Sequence, residues 1–588
     1  MASYTWVSRP DLAGTQFYLS SCSFALSSST PTVTTGEPGD YDWLLVDYAD
    51  RLYDWATYCG IPGGIPTRTT IYAYMTSANT AAQINAAIAA CPSDQVVYLA
   101  AGTYSLGQIT FGAKAGVTLR GAGAGQTILN LTSGIVASER TWTEASGVSV
   151  TSGHTKGSTA IVVSSGATFS AGMLIYITED PSADKWATGV GTYYRVGLSS
   201  SVYNISIPRC FRQLCKVDSV VGNTINLTTP LALDFSASLS VKAYPSSGGV
   251  SLCGIENLTI DATNMASDNA IKFVGSDRCW AKEVEIKNYI YADIGAIRFW
   301  QSFQPEIRRC YIHDVASYPS QTDGQSTSFD FGTSNGLLID TIANNSADLI
   351  QMNGATACAV VYNYTKNVCR ASVYSRGMTA NHGPHGFMNL VEGNILFSLC
   401  SDATHGSVSH LVAFRNSFNG VTSPTDVQRK VINLSRGAYY FSLVGNVLGD
   451  SSWDAAYYEN TPALASTQCI YALGFPDADS LGLYSYNWTD FYGWIKPTDE
   501  PDADVAATLL RHGNYDYYND ASVWDEGIVN HAIPESLFCA SKPALFGSLA
   551  WPAIGPDVTG LVQNIPAKHR WDNYVISADI DDLFADES

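Results

Sequence analysis

Four polar residues, each followed by glycine, stand at nearly one position of a repeating sequence: Asn353-Gly354, His382-Gly383, His405-Gly406 and Arg436-Gly437. They precede Asn363, Asn394, Asn416 and Asn446 by 10, 12, 11 and 10 residues. Two histidines and an arginine in a row are costly if buried unpaired. The spacing therefore predicts a groove-lining column, with the glycines letting the backbone turn sharply or a ligand approach. Asp348, Gln351, Arg376, Asn381, His385, Asp402 and His410 lie close by in sequence. Histidine, carboxylate and arginine together suit proton transfer, with positive charge for a carboxylate or a developing oxyanion. The candidate catalytic set is His382, His405, Asp402, Glu392, Asp348 and Arg436. The candidate binding set is Asn353, Arg376, His385, His410, Arg415, Tyr362 and Trp186. Polar columns also serve stability alone, and that reading stands beside the functional one. Glu392 aligns with Val361, Phe414 and Val444, positions expected to face the core. It is either a structural carboxylate or one whose pKa burial raises. Arg415 and Tyr362 alternate with these positions and should face outward. Asp330 and Asp340, in preceding repeats, are further carboxylates or turn residues.

The elements that must position this column are short and repetitive. The four asparagines are 31, 22 and 30 residues apart, and each follows one short apolar run, as in Val360-Val361-Tyr362-Asn363 and Leu390-Val391-Glu392-Gly393-Asn394. One strand per repeat with an asparagine at each corner predicts a parallel β-helix. Stacked coils place equivalent residues about 4.8 Å apart, close enough for a ladder of amide hydrogen bonds. A propeller or sandwich would need several antiparallel strands per repeat. Upstream, Thr80–Cys91 reads as a threonine-capped helix. Val96–Leu99, Gly102–Tyr104, Gly107–Phe111 and Gly116–Gly121 read as strands and turns. This opening (AAQINAAIAAC, VVYLAAGTY, VTLRGAG) resembles the right-handed parallel β-helix proteins of the pectate-lyase and polygalacturonase type, in which a short helix caps the open end of the coils. The Asn381-His382-Gly383-Pro384-His385 … Thr404-His405-Gly406 … Arg415-Asn416 run is similar to secreted bacterial β-helix proteins of the pectate-lyase-like kind. The resemblance covers residues 60–570 and implies carbohydrate as the ligand class.

The expected organisation is an irregular segment at 1–70, a single-stranded right-handed parallel β-helix at 71–455, and last coils with a C-terminal cap or extension at 456–588. Residues 140–245 break the rhythm and read as an antiparallel β insertion, with Trp186, Tyr193 and Tyr194 available to wall a cleft. The net charge is −21 over 588 residues, which argues against a nucleic-acid binder. No apolar run approaches the roughly 20 residues of a membrane helix. Thirteen scattered cysteines without a CxxC leave disulfides or buried thiols open, with core packing expected for Cys253, Cys310 and Cys358.

Three functions compete. The first is a secreted or periplasmic enzyme on a polysaccharide, its native leader absent from this sequence. Hydrolysis needs two carboxyls, roughly 5–5.5 or 6.5–9.5 Å apart. Elimination needs a His or Arg base and neutralisation of a uronate by arginine or calcium. Fold analogy leans to a glycoside hydrolase and the column to a polysaccharide lyase; neither requires a cofactor, though calcium could assist. The second is a non-catalytic glycan-binding spike, which would be trimeric where the enzyme is expected to be a monomer. The third is a structural assembly unit, which the capping helix disfavours.

Overall fold

The computed structural model describes residues 48–137, 140–142, 147–180, 211–266, 269–290, 295–316, 318, 324–368, 376–383, 385–401, 407–420, 430–451, 457–459, 468–475 and 501–585. The chain is an all-β parallel β-helix. Most coils give two strands to a 22-stranded sheet and one to an 11-stranded sheet, as with Leu337–Ile339, Ile342–Ser346 and Ile350–Asn353, while Gly254–Asp261 and Trp280–Lys287 each span both positions of the larger sheet as one strand. A short third sheet of Gly386–Phe387, Val408–Ser409 and Ala438–Tyr439 closes the cross-section.

The kink between the paired strands sits at a left-handed residue in seven successive coils: Arg309, Asp340, Tyr362 and Arg415, or Gly393, Gly445 and Gly513. That conformation costs a side-chain-bearing residue roughly 1–2 kcal/mol. The asparagine that follows helps to hold it. The Asn363 backbone N–H and side-chain amide both donate to Asn394 Oδ1, at 2.8 and 2.9 Å. Asn394 repeats this onto Asn416, and Asn416 onto Asn446. The ladder then continues onto Asn514, at 3.0 and 2.9 Å. Val360, Val391, Ala413 and Leu443 fill the coil interior.

The helix Ala81–Ala90 closes the N-terminal end. Thr80 and Gln83 form a reciprocal capping box, while Ile84 and Ile88 are buried. Seven antiparallel strands between Arg140 and Gly248 make the insertion. It seats on the coils through Leu214 and Tyr176 against Phe303, and through Phe211 stacked on Phe387 at 4.6 Å. The ten described cysteines are buried, among them Cys215, Cys253, Cys310 and Cys358.

Residues 528–585 run back along the outside of the larger sheet. Ile533 lies beside Gly445 and Gly513, Ser536 meets Glu392, Arg570 meets Asp340, and Ile580 reaches Gly125. Together with Leu337, Ile339, Val361, Leu390, Val412, Phe414 and Val444 of the coils, this segment builds a second apolar core outside the stack.

Candidate functional site

The predicted residues fall into separate places. Tyr362, Glu392 and Arg415 lie on the larger sheet beneath the C-terminal segment. Glu392 does pair in register with Val361 and Phe414. Those positions face the outer core, not the coil interior, because the left-handed kink and the covering segment together create a second inside. Tyr362 and Arg415 leave the coil as alternation expects, yet both are buried. Arg415 holds Asp557 with two nitrogens, at 2.7 and 2.8 Å, and donates to the carbonyls of Ile533, Pro534 and Ile554. Glu392 accepts from Ser536, from the Leu537 N–H at 2.9 Å and from the Tyr362 hydroxyl at 3.2 Å. Burial pushes its carboxyl up to about 7, with these donors opposing. The cleft beside it has room for about 10 Å³, about what one water molecule needs. These three side chains fasten the C-terminal segment.

His385 and His410 belong to the third sheet. His385 is buried between Ser407 Oγ and Ser409 Oγ, each at 2.9 Å. His410 bonds Ser409 Oγ at 2.9 Å and stacks on Tyr440, and burial pulls its pKa down to about 3. It is a neutral core histidine at physiological pH. Trp186, Asp402 and His405 lie outside the described residues.

The 11-stranded sheet gathers the rest. Its outward positions run in register through Arg298, Ser328, Gln351 and Thr379, and through Trp300, Asp330 and Asn353. Period-two alternation sends Phe299, Phe329 and Met352 inward between them. Arg298 Nε donates to Asp330 Oδ2 at 2.5 Å, and Asn353 Nδ2 to Asp330 Oδ1 at 2.5 Å. Gln351 donates to Asn353 Oδ1 at 3.3 Å, and Gln325 to Gln351 at 2.9 Å. At the strand's other end, Thr379 Oγ1 donates to Asp348 Oδ2 at 3.1 Å and receives Arg376 at 3.5 Å. Arg298 lies 4.2 Å from the centre of the half-buried Trp300 ring.

Asn353 and His382 do sit in adjacent coils: the His382 N–H donates to the Met352 carbonyl at 3.0 Å. The strict register partner is one residue earlier, since Gln351 pairs with Thr379, and Asn381 Oδ1 accepts the Gly354 N–H at 3.0 Å. His382 and Arg436 are half-buried, and Arg436 follows the strand Lys430–Leu434 farther up the stack. Arg298, Trp300, Gln325 and Thr379 escaped the sequence reading. Their signal was the alternation of Ile297-Arg298-Phe299-Trp300 and Thr327-Ser328-Phe329-Asp330, visible only once the register is known. Among the described residues, no three His, Cys, Asp or Glu side chains form a metal-ligand set.

No protein-family model matches the sequence, and no curated protein matches it. Solved structures do. The tailspike gp61 of Pseudomonas phage phi297 is 13% identical, covering 63% of this chain and 68% of its own, with a TM-score of 0.32. The tailspike gp49 of Pseudomonas phage LKA1 is 12% identical, covering 60% and 67%, at 0.33. A mannuronic-acid-specific family 6 polysaccharide lyase from human gut microbiota is 9% identical, covering 68% and 72%, at 0.31. The parallel β-helix is shown by the chain's own strand pairing. At these identities the likeness is one of fold alone.

Proposed function

We propose that the protein binds a polysaccharide along the outward face of the 11-stranded sheet and cleaves it there by elimination. One observation supports this reading above the others. The outward positions of the larger sheet pack into an apolar outer core, and the third sheet packs against the insertion. The outward positions of the 11-stranded sheet instead carry polar side chains, buried and bonded to one another across successive coils, with Trp300 half-buried beside them. A row of amides, carboxylates and arginines with a half-buried tryptophan suits the hydroxyls and faces of sugar rings.

Two features favour elimination over hydrolysis. Asp330 and Asp348 stand five register positions apart, since Thr327 pairs with Ile350. At about 3.3 Å per residue that is roughly 16 Å, beyond the span of a hydrolytic carboxyl pair. His382 lies half-buried next to Asn353 at the edge of the same face, where it would take the proton. We take the site of action to be extracellular or periplasmic, with no cofactor required and calcium as an optional aid.

An activity screen on a polysaccharide panel, with and without calcium, tests the reading. Reducing ends and the ultraviolet absorbance of an unsaturated uronate are read together. The expected outcome is that both rise, and that a folded His382→Ala variant loses about 10²–10⁴-fold in rate. Reducing ends without absorbance would establish hydrolysis instead. Binding without either signal would establish a non-catalytic glycan-binding protein.

A further inference from the structure

Arg212 opens the strand Arg212–Val221 of the insertion and meets the coil stack at Gly332. A Cβ on Gly332 would lie 3.0 Å from Arg212 Nε and 2.9 Å from the Tyr176 ring, so this glycine, at φ +85°, lets both side chains pack directly against the coil backbone. The guanidinium carbon lies 5.1 Å from the centre of the Tyr176 ring. The Tyr176 hydroxyl is spent on the Phe331 carbonyl at 3.1 Å. Arg212 is 1% exposed, and none of its three guanidinium nitrogens has a hydrogen-bond partner. Among the described residues it is the one arginine of which this is true. Arg298, buried to the same degree, holds Asp330. A buried guanidinium left unpaired is strongly unfavourable, and its planar fork matches a carboxylate with two parallel bonds.

The place also matters. Gly332 follows Asp330 by two residues, and the Phe331 ring lies 4.7 Å from that of Trp300. The fork therefore sits at the seam between the insertion and the polar face. On a molecule of net charge −21, an acidic ligand needs such a local positive group to offset long-range repulsion.

We propose that Arg212 receives the carboxylate of an acidic sugar residue, making the seam between insertion and coils a uronate subsite. This deepens the glycan-cleaving reading above and rests on it.

Calorimetric titration of the full chain with sodium D-glucuronate, sodium D-galacturonate, sodium acetate and D-glucose tests it. At least one uronate should bind the wild-type protein, acetate at least tenfold more weakly, and glucose not measurably. In Arg212→Met the uronate should bind at least tenfold more weakly, the loss expected of a charge-assisted bidentate contact. The thermal midpoint of this variant should not fall, since an uncompensated charge has been removed. If it fails to fold, Arg212→Lys, which keeps the charge and loses the fork, takes the same titration and the same tenfold criterion. No uronate binding to the wild type, equal binding to wild type and variant, or acetate binding as tightly as the uronates would each overturn the proposal. A parallel arm measures polysaccharide binding. Polysaccharides bound alike by wild type and variant would sink this subsite and leave the broader reading standing. Uronate binding through Arg212 by a chain that holds no polysaccharide would do the reverse.

Discussion

Glu392 sits where three donors and a dry environment meet, and its titration is coupled to stability. Its folded pKa of about 7 lies above the ordinary 4.5, so between those values the folded state binds more protons than the unfolded one. Stability therefore falls as pH rises from about 4.5 to 7, and the full loss of about 3 kcal/mol is in place above that window. Denaturant midpoints measured from pH 4 to pH 8 should show this slope, and Glu392→Gln should flatten it. Asp340 has an arginine as its partner. Arg570 reaches both of its carboxylate oxygens, at 2.7 and 2.9 Å, and both side chains are buried. Asp340→Asn should cost about 3–5 kcal/mol in denaturant unfolding, the penalty of stranding a buried cation. The alignment of Glu392 with Val361 and Phe414 was legible in the sequence, since the asparagine column carries the register. Its facing was not. Alternation is a two-residue rule, and a left-handed kink at the next position adds a second outward side chain. Only the covering segment, some 140 residues later, turns that outside into an inside.

At the scale of elements, the asparagine ladder sets the register of the stack. Each member joins neighbours on both sides: Asn394 receives two donors from Asn363 and gives two to Asn416. Its amide also donates to the Val360 carbonyl at 2.8 Å. Asn394→Ala leaves several buried groups unsatisfied at once and should cost about 2–4 kcal/mol, read as a shifted denaturant midpoint. The ladder was legible through Asn446 because those repeats are 22 to 31 residues long. Asn514 escaped because the chain makes a 68-residue excursion before returning to the column. The polar face was half legible. Asn353, Asp348 and Arg376 stood near the polar-glycine column, whereas Arg298 and Trp300 belong to an earlier coil, before that column begins. Of the histidines singled out, His385 and His410 are bonded to serines within the protein, whereas His382 is half-buried beside Asn353.

Taken whole, the molecule is acidic while its proposed binding face carries arginines. Screening weakens the long-range repulsion between a chain of net charge −21 and an acidic polysaccharide more than it weakens a buried contact. The association rate of an acidic polysaccharide should therefore rise between about 10 and 150 mM salt. A rate that falls steeply would place the controlling charges on the surface. The C-terminal segment has a further consequence. A solenoid is held by nearest neighbours, so it can fray from either end, one coil at a time. Here one stretch of chain touches the coils of Gly513, Gly445, Glu392, Asp340 and Gly125 in turn. It acts as a spine that reads the length of the finished stack. A coil that slips its register would misalign every anchor beyond it, so this seam can close only over a correctly wound helix. Because it is synthesised after the coils it covers, its docking also serves as an inspection of their winding.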